Sequence, residues 1–473
     1  MRRSTWRGRT ALAVVALTTL AGTAGCLGKS SSSDSARNSD AKDFTITIGD
    51  NAISGGKNAQ GADWITNWVI PHFVADEKAK GRTAHVKFQG SGAADEDYKA
   101  KVALDLKTGS GPDLYSIDGI WLGEFADAGY IKPLADLVGK ASADGWDGWA
   151  QIPPAVQQAF SYKGTRYGVS QGTDGRVIFF NKKLFAQAGL SADWQPKSWD
   201  DIITAGQTLK AKVPGVTPIQ LNAGTAMGEA TTAQAVLPLL VGTGKELYAN
   251  GKWQGNTQAV RDMLGMYQQI YKGGLGDPVL QEDAKGRDKS FAEFAAGKIG
   301  MLFESDYLWR GVIDPTNGID KMPTRDADVG YALIPAQKPG SGVHGQQYVS
   351  ISGGGGWIIN PATKYPQQTW ELLQLLSSKD ATIAFLGNKA QITERQDVNS
   401  QVLANDPMLT FVSQKVLPLT TFRPGFAVYP QVSQALQQAT LDVVEGKTPE
   451  QAAATYQSTI EPLVGGTAKV DSN

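Results

Sequence analysis

From residue 43 to residue 189 the chain alternates short apolar runs of period two with longer runs of period three to four, and this alternation narrows the fold more than any other feature. Phe44, Ile46 and Ile48 alternate with Thr45 and Thr47, the pattern of a strand with one face buried. A Gly-rich loop, Ser54-Gly55-Gly56, leads to a helical pattern through Trp64, Trp68 and Phe73. The runs that follow predict a strand over His85–Gln89, a helix over Asp95–Thr108, a strand over Asp113–Ile117 and a helix over Trp121–Gly129. This rhythm is that of an α/β lobe with a largely parallel sheet. Ser161 to Tyr167 predicts a hairpin turning at Lys163-Gly164, Arg176–Phe180 a strand, and Lys182–Gly189 a helix ending at its glycine. Two later helix starts are marked by capping residues: Ser198 with Asp201, and Thr448 with Pro449 and Gln451.

At roughly 150 residues per domain, a chain of 473 residues makes about three domains or two large lobes. It holds 12 Trp, 14 Tyr and 15 Phe against 3 His and one Cys, a balance that favours stacking surfaces over metal or nucleophilic chemistry. His72, His85 and His344 show no ligand spacing, so neither a metal nor a cofactor is expected. A net charge of −1 removes the electrostatic footprint of a nucleic-acid binder.

The N-terminus accounts for the lone cysteine. Arg2, Arg3, Arg7 and Arg9 precede an apolar run from Ala11 to Leu20, and Thr23-Ala24-Gly25 leads directly to Cys26. The run is about half of the roughly 20 residues that span a bilayer. It resembles a bacterial lipoprotein signal, which implies cleavage after residue 25 and a thioether-linked lipid on Cys26. Residues 26–42 are Ser-rich and polar, a flexible tether reaching about 20 Å. Cleavage removes four arginines and no acid, taking the net charge from −1 to −5. Tethering to the extracytoplasmic face of the cell membrane would then run through the lipid and not through a basic patch.

A further set of motifs occurs in order: Thr108-Gly109-Ser110-Gly111-Pro112-Asp113-Leu114, Trp121 to Tyr130, Phe179 to Leu190 around Asn181-Lys182-Lys183, Lys197-Ser198-Trp199-Asp200-Asp201, Phe294 to Met301, Gly353 to Asn360, and Thr421-Phe422-Arg423-Pro424. Together they resemble the extracellular sugar-binding proteins of ABC importers, the family of maltose-binding protein, over roughly 43–465. The resemblance implies a two-lobed periplasmic-binding-protein-like fold of type II with ligand in the cleft between lobes. It implies lobe boundaries of 43–155 and 340–402 for the N-lobe and 156–339 and 403–473 for the C-lobe. It also implies a monomer that delivers a carbohydrate to a membrane permease driven by a separate ATPase chain.

A pyranose offers apolar C–H faces and a rim of hydroxyls, so aromatic rings and planar polar groups at strand ends are the candidates. They are Asp118 and Trp121 after the third strand; Gln171 and Asp174 before Arg176–Phe180; Glu304, Asp306, Tyr307 and Trp309 after Ile299–Phe303; Trp357 after four glycines; and Arg423 and Tyr429 before a helix at Val432–Val444. The resemblance implies stacking aromatics at Tyr307 and near Tyr429; Tyr307 stands where Trp is usual, with Trp309 as the second choice. Blander roles suit Trp199 (packing at a helix start), Trp146 and Trp149 (surface or inter-lobe packing), Asp113 (a turn) and the Gly353–Gly356 run (a close-approach or hinge-side loop). Two other functions compete. A polyamine site would need converging acids, whereas these loops mix Asp118, Asp174, Glu304 and Asp306 with Arg176, Arg310 and Arg423. A glycoside hydrolase would need two carboxylates about 5–10 Å apart, for which Asp118 and Glu304 are a formal pair.

Overall fold

The computed structural model describes residues 37–472 apart from Ala94 and Asn388. The leader, Cys26 and most of the tether therefore lie outside the described residues. In chain order the strands that build the lobes are β1 (Asp43–Asp50), β2 (Thr83–Gly90), β3 (Leu114–Asp118), β4 (Gly168–Gln171), β5 (Arg176–Asn181) and β6 (Thr217–Gln220). They continue with β7 (Ile299–Ser305), β8 (Val329–Ala332), β9 (Ile334–Pro335), β10 (Tyr348–Ser352), β11 (Gly355–Ile359) and β12 (Thr420–Phe422).

Two sheets define two α/β lobes. The first runs β2-β1-β3-β11-β4 and the second β8-β5-β7-β6. The expected parallel arrangement holds for β2, β1 and β3. β11 departs from it, antiparallel to both β3 and β4, because it enters from the other lobe. In β5 and β7 every residue is buried, which explains why they read as continuous apolar runs and not as alternating ones: helices cover both faces. Trp199, Ile202, Met263 and Leu436 belong to the second lobe's core, whereas Ile46, Ile48, Leu114 and Trp370 belong to the first. Trp146 and Trp149 belong with the first set, edge to face at 4.9 Å, with Trp146 also against Trp370.

Local signals translate directly. Lys163 and Gly164 both adopt positive φ, 49° and 77°, the two-residue turn whose twist matches a hairpin. Asn181 caps helix Lys182–Ala188 through the N–H groups of Lys183 and Leu184, and Gly189 closes it at φ 74°. Thr448 and Gln451 form a complete reciprocal capping box. Ser198 accepts from the Asp201 N–H, but the Asp201 carboxylate takes the Lys197 N–H at 2.7 Å. The helix expected over Val432–Val444 begins three residues early, as Tyr429–Val444.

Because β4 lies in the first sheet and β5 in the second, the chain first crosses between lobes at 172–175. That is well past the 155/156 boundary the resemblance implied; the hairpin and β4 extend the first lobe. The second crossing is at 353–354, between β10 and β11, and not near 340, since β9, β10 and β12 form a small sheet of their own. The chain returns through helix Pro407–Phe411, beside Trp309 and Tyr331.

Three carboxylates bolt the two crossings. The Gly172 N–H donates to Glu394 at 2.6 Å, the Gly175 N–H to Asp306 at 3.1 Å and the Gly353 N–H to Asp174 at 2.7 Å. Gly354 has φ 143°, and a Cβ there would lie 2.6 Å from the Gly172 carbonyl oxygen. The two crossings thus run too close for a side chain between them.

Candidate functional site

The lobes face each other across a cavity of about 440 Å³ at the C-terminal ends of β1 and β3, where open α/β sheets place ligands. The first lobe contributes Asp50, Asn51, Tyr98, Ser116, Asp118 and Trp121, and the second contributes Glu229 and Arg423. Asp50 and Asp118 are the last residues of their strands. Asp118 caps the turn Gly119–Trp121 by accepting the Ile120 N–H at 3.1 Å. That turn brings Trp121 against Tyr98 at 6.3 Å and Phe125 at 6.4 Å. Tyr98 is fixed by donating its hydroxyl to the Ser116 carbonyl at 3.1 Å.

On the opposite wall Arg423 lies 3.5 Å from Glu229. Glu229 also accepts from the Tyr429 hydroxyl and, at 2.6 Å, from Ser433. Burial works against the Arg423 charge, but Tyr429, Asp118, Glu229 and Asp174 outweigh it and push its pKa up. Burial pushes the Asp50 carboxyl up, only partly offset by hydrogen bonds from Ser116 and Asn51. For Asp174 the balance reverses: burial raises it, yet Arg176, the Gly353 N–H and Arg423 together hold it below the usual aspartate range. Beside the cavity the lobes touch. A Cβ on Gly123 would stand 2.3 Å from the Gly425 carbonyl oxygen, and Tyr162 meets Phe426 edge-on at 5.9 Å.

Of the candidates read from sequence, the cavity gathers Asp118, Trp121 and Arg423. Gln171 ends β4 opposite Gly355, and Asp174 sits in the hinge. The remaining candidates have other work. Glu304 is fully buried and receives Arg287 through two bonds of 2.8 Å; β7 runs two residues beyond the expected strand, so Glu304 stays within the sheet. Asp306 takes the Gly175 N–H and Arg310 at 2.8 Å. Tyr307 lies under the Arg310 guanidinium, 5.6 Å from ring centre. Trp309 is 3% exposed, donates to Asp406 at 3.0 Å and carries Arg325 3.9 Å above its ring. Trp357 is buried in β11 between β3 and β4. Tyr429 is the first residue of a helix and supports Glu229 from beneath. Asp50, Asn51, Tyr98, Ser116 and Glu229 were not anticipated. The strand-end rule applied to β1 points to the first two, and the left-handed Gly224 and Gly228 mark the loop that carries Glu229.

Residues 58–383 match the model of the bacterial extracellular solute-binding proteins, and the chain belongs to that family. A Brucella abortus binding protein is 22% identical over 352 residues, 73% of this chain and 78% of the relative. The diacetylchitobiose binding protein DasA of Streptomyces coelicolor is 23% identical over 299 residues, 62% of each chain. The sugar-binding protein MalE of Xanthomonas citri shares the two-lobed fold, with a TM-score of 0.69 at 20% identity over 89% of this chain and 97% of that one.

Proposed function

We propose that this chain captures a carbohydrate between its lobes and delivers it, unaltered, to an ABC permease powered by a separate ATPase chain. The observation that carries the reading is the interlobe cavity, walled by hydrogen-bonding side chains from both lobes beside Trp121. Ligand held by both walls stabilises the closed state by its differential affinity for it. The sugar specificities of the Streptomyces and Xanthomonas relatives point the same way. Binding without bond chemistry fits the fate of the formal hydrolase pair: Asp118 lines the cavity, while Glu304 is committed to Arg287 outside it. The mature protein acts as a monomer held to the outer face of the membrane by lipid on Cys26.

A thermal-shift screen over mono-, di- and oligosaccharides tests the central claim. A binder at 100-fold excess over its Kd stabilises by about 2.7 kcal/mol. Silence across every carbohydrate, or measurable hydrolysis of one, refutes the reading. For the anchor, Cys26→Ala is expected to release the protein from membranes; a variant that remains membrane-bound and still incorporates labelled fatty acid contradicts it.

A further inference from the structure

We propose that the ligand is an amino sugar, and that its protonated amine seats between the Asp50 carboxylate and the Asn51 amide oxygen at the end of β1. This rests on the cleft being a carbohydrate site and names the chemistry within it. Four carboxylates line the cavity, Asp50, Asp95, Asp118 and Glu229, against one guanidinium, Arg423. The other arginines that sequence reading set against these acids are engaged elsewhere. Arg176 serves Asp174, Gln234 and the Ile351 carbonyl, and Arg310 serves Asp306. Within the cavity Glu229 faces Arg423, and Asp95 pairs with Lys57 at 2.7 Å. Asp50 has no ion pair among the described residues.

A partly buried carboxylate without a cation is a standing cost that a cationic ligand removes. Nor do the acids here form a group that could hold a metal ion, among the described residues. Asn51 points to the same chemistry independently. It is 7% exposed, and its Nδ2 donates to the Ala93 carbonyl at 3.2 Å and to Asp95 at 3.1 Å. Those bonds settle the orientation of the amide and leave Oδ1 without a donor. An acid without a cation beside an amide oxygen without a donor suits an ammonium, which carries three donors and no acceptor. Asn58 and Trp121 line the same cavity, beside the hydroxyls and ring face of the same ligand. A phosphorylated or uronic sugar would set like charge against Asp50 and Asp118.

Calorimetry on the mature chain decides it, using the glucosamine disaccharide, its N,N′-diacetyl form, maltose, a hexose phosphate and spermidine. The free-amine disaccharide is expected to bind about tenfold tighter than the diacetyl form while the amine is charged. The preference should fade as pH rises through the amine's own pKa, a readout that needs no variant. Asp50→Asn should weaken the free-amine sugar far more than the diacetyl one. Equal affinities, a pH-independent ratio, a preference that survives Asp50→Asn, or selection of the phosphate overturns the amine assignment and leaves the carbohydrate reading standing. No response to any sugar in the panel overturns the amine assignment, and a response to spermidine alone overturns both.

Discussion

Trp309 is held on three sides, by Asp406 at its indole N–H, Arg325 above its ring and Tyr331 at its edge. Trp309→Ala therefore opens a core cavity and is expected to cost about 3–5 kcal/mol, while the protein that remains folded keeps its ligand affinity. Urea denaturation and calorimetry separate the two effects; a variant of full stability and lost affinity would return Trp309 to the ligand site. The residues legible in advance were those fixed by local backbone logic. Asp118 follows a strand end and Arg423 follows the Thr421-Phe422 pair, so both could be placed by strand-end position. Glu304 and Trp309 could not, because a carboxylate or an indole beside a strand end reads identically whether it faces a cleft or an Arg287 or Arg325 that arrives from elsewhere in the chain.

Among elements, the bolted crossings respond to pH in opposite senses. Burial raises the Glu394 carboxyl, with Asp397 adding to it, against the Gly172 N–H, its own N–H and Arg395. Burial raises Asp306 as well, with Asp174 adding to it, against Arg310 and the Gly175 N–H. A carboxyl raised on folding contributes stability at low pH that is lost as pH climbs through its folded value. Asp174 is depressed, so its contribution is present above the ordinary aspartate range and is lost on acidification. Glu394→Gln keeps an acceptor for Gly172 without the charge. Its stability relative to the native protein should be most favourable at neutral pH and decline as pH falls toward 4.5, the ordinary glutamate value; urea midpoints at several pH values check this, and a constant difference counts against a buried, raised carboxyl. Strands β1, β2, β3, β5 and β7 and the helices opened by Asn181, Ser198 and Thr448 were legible from periodicity and caps. The crossings were shifted because β4 is short and its partner β11 lies far along the chain, and no local pattern announces such a pairing.

For the whole molecule, the Gly123–Gly425 approach leaves no room for a methyl between the lobes. Gly123→Ala is expected to hold the lobes apart, lowering ligand affinity and leaving the ligand-free melting temperature nearly unchanged. Scattering with and without ligand would show reduced compaction; undiminished affinity would mean that the lobes close without this contact. The two-lobed plan was legible only through resemblance, since alternation of strands and helices predicts a lobe but not how many times the chain visits it. The placing of β11 between β3 and β4 has a consequence for how the protein comes into being. Its first sheet lacks an inner rung until roughly 190 more residues have been made, about 10–40 s of synthesis. Until then two facing edges of that sheet stand open to wrong partners. A nascent chain stopped short of Gly355 is therefore half a ladder, and the lobe that starts first is among the last parts to be finished.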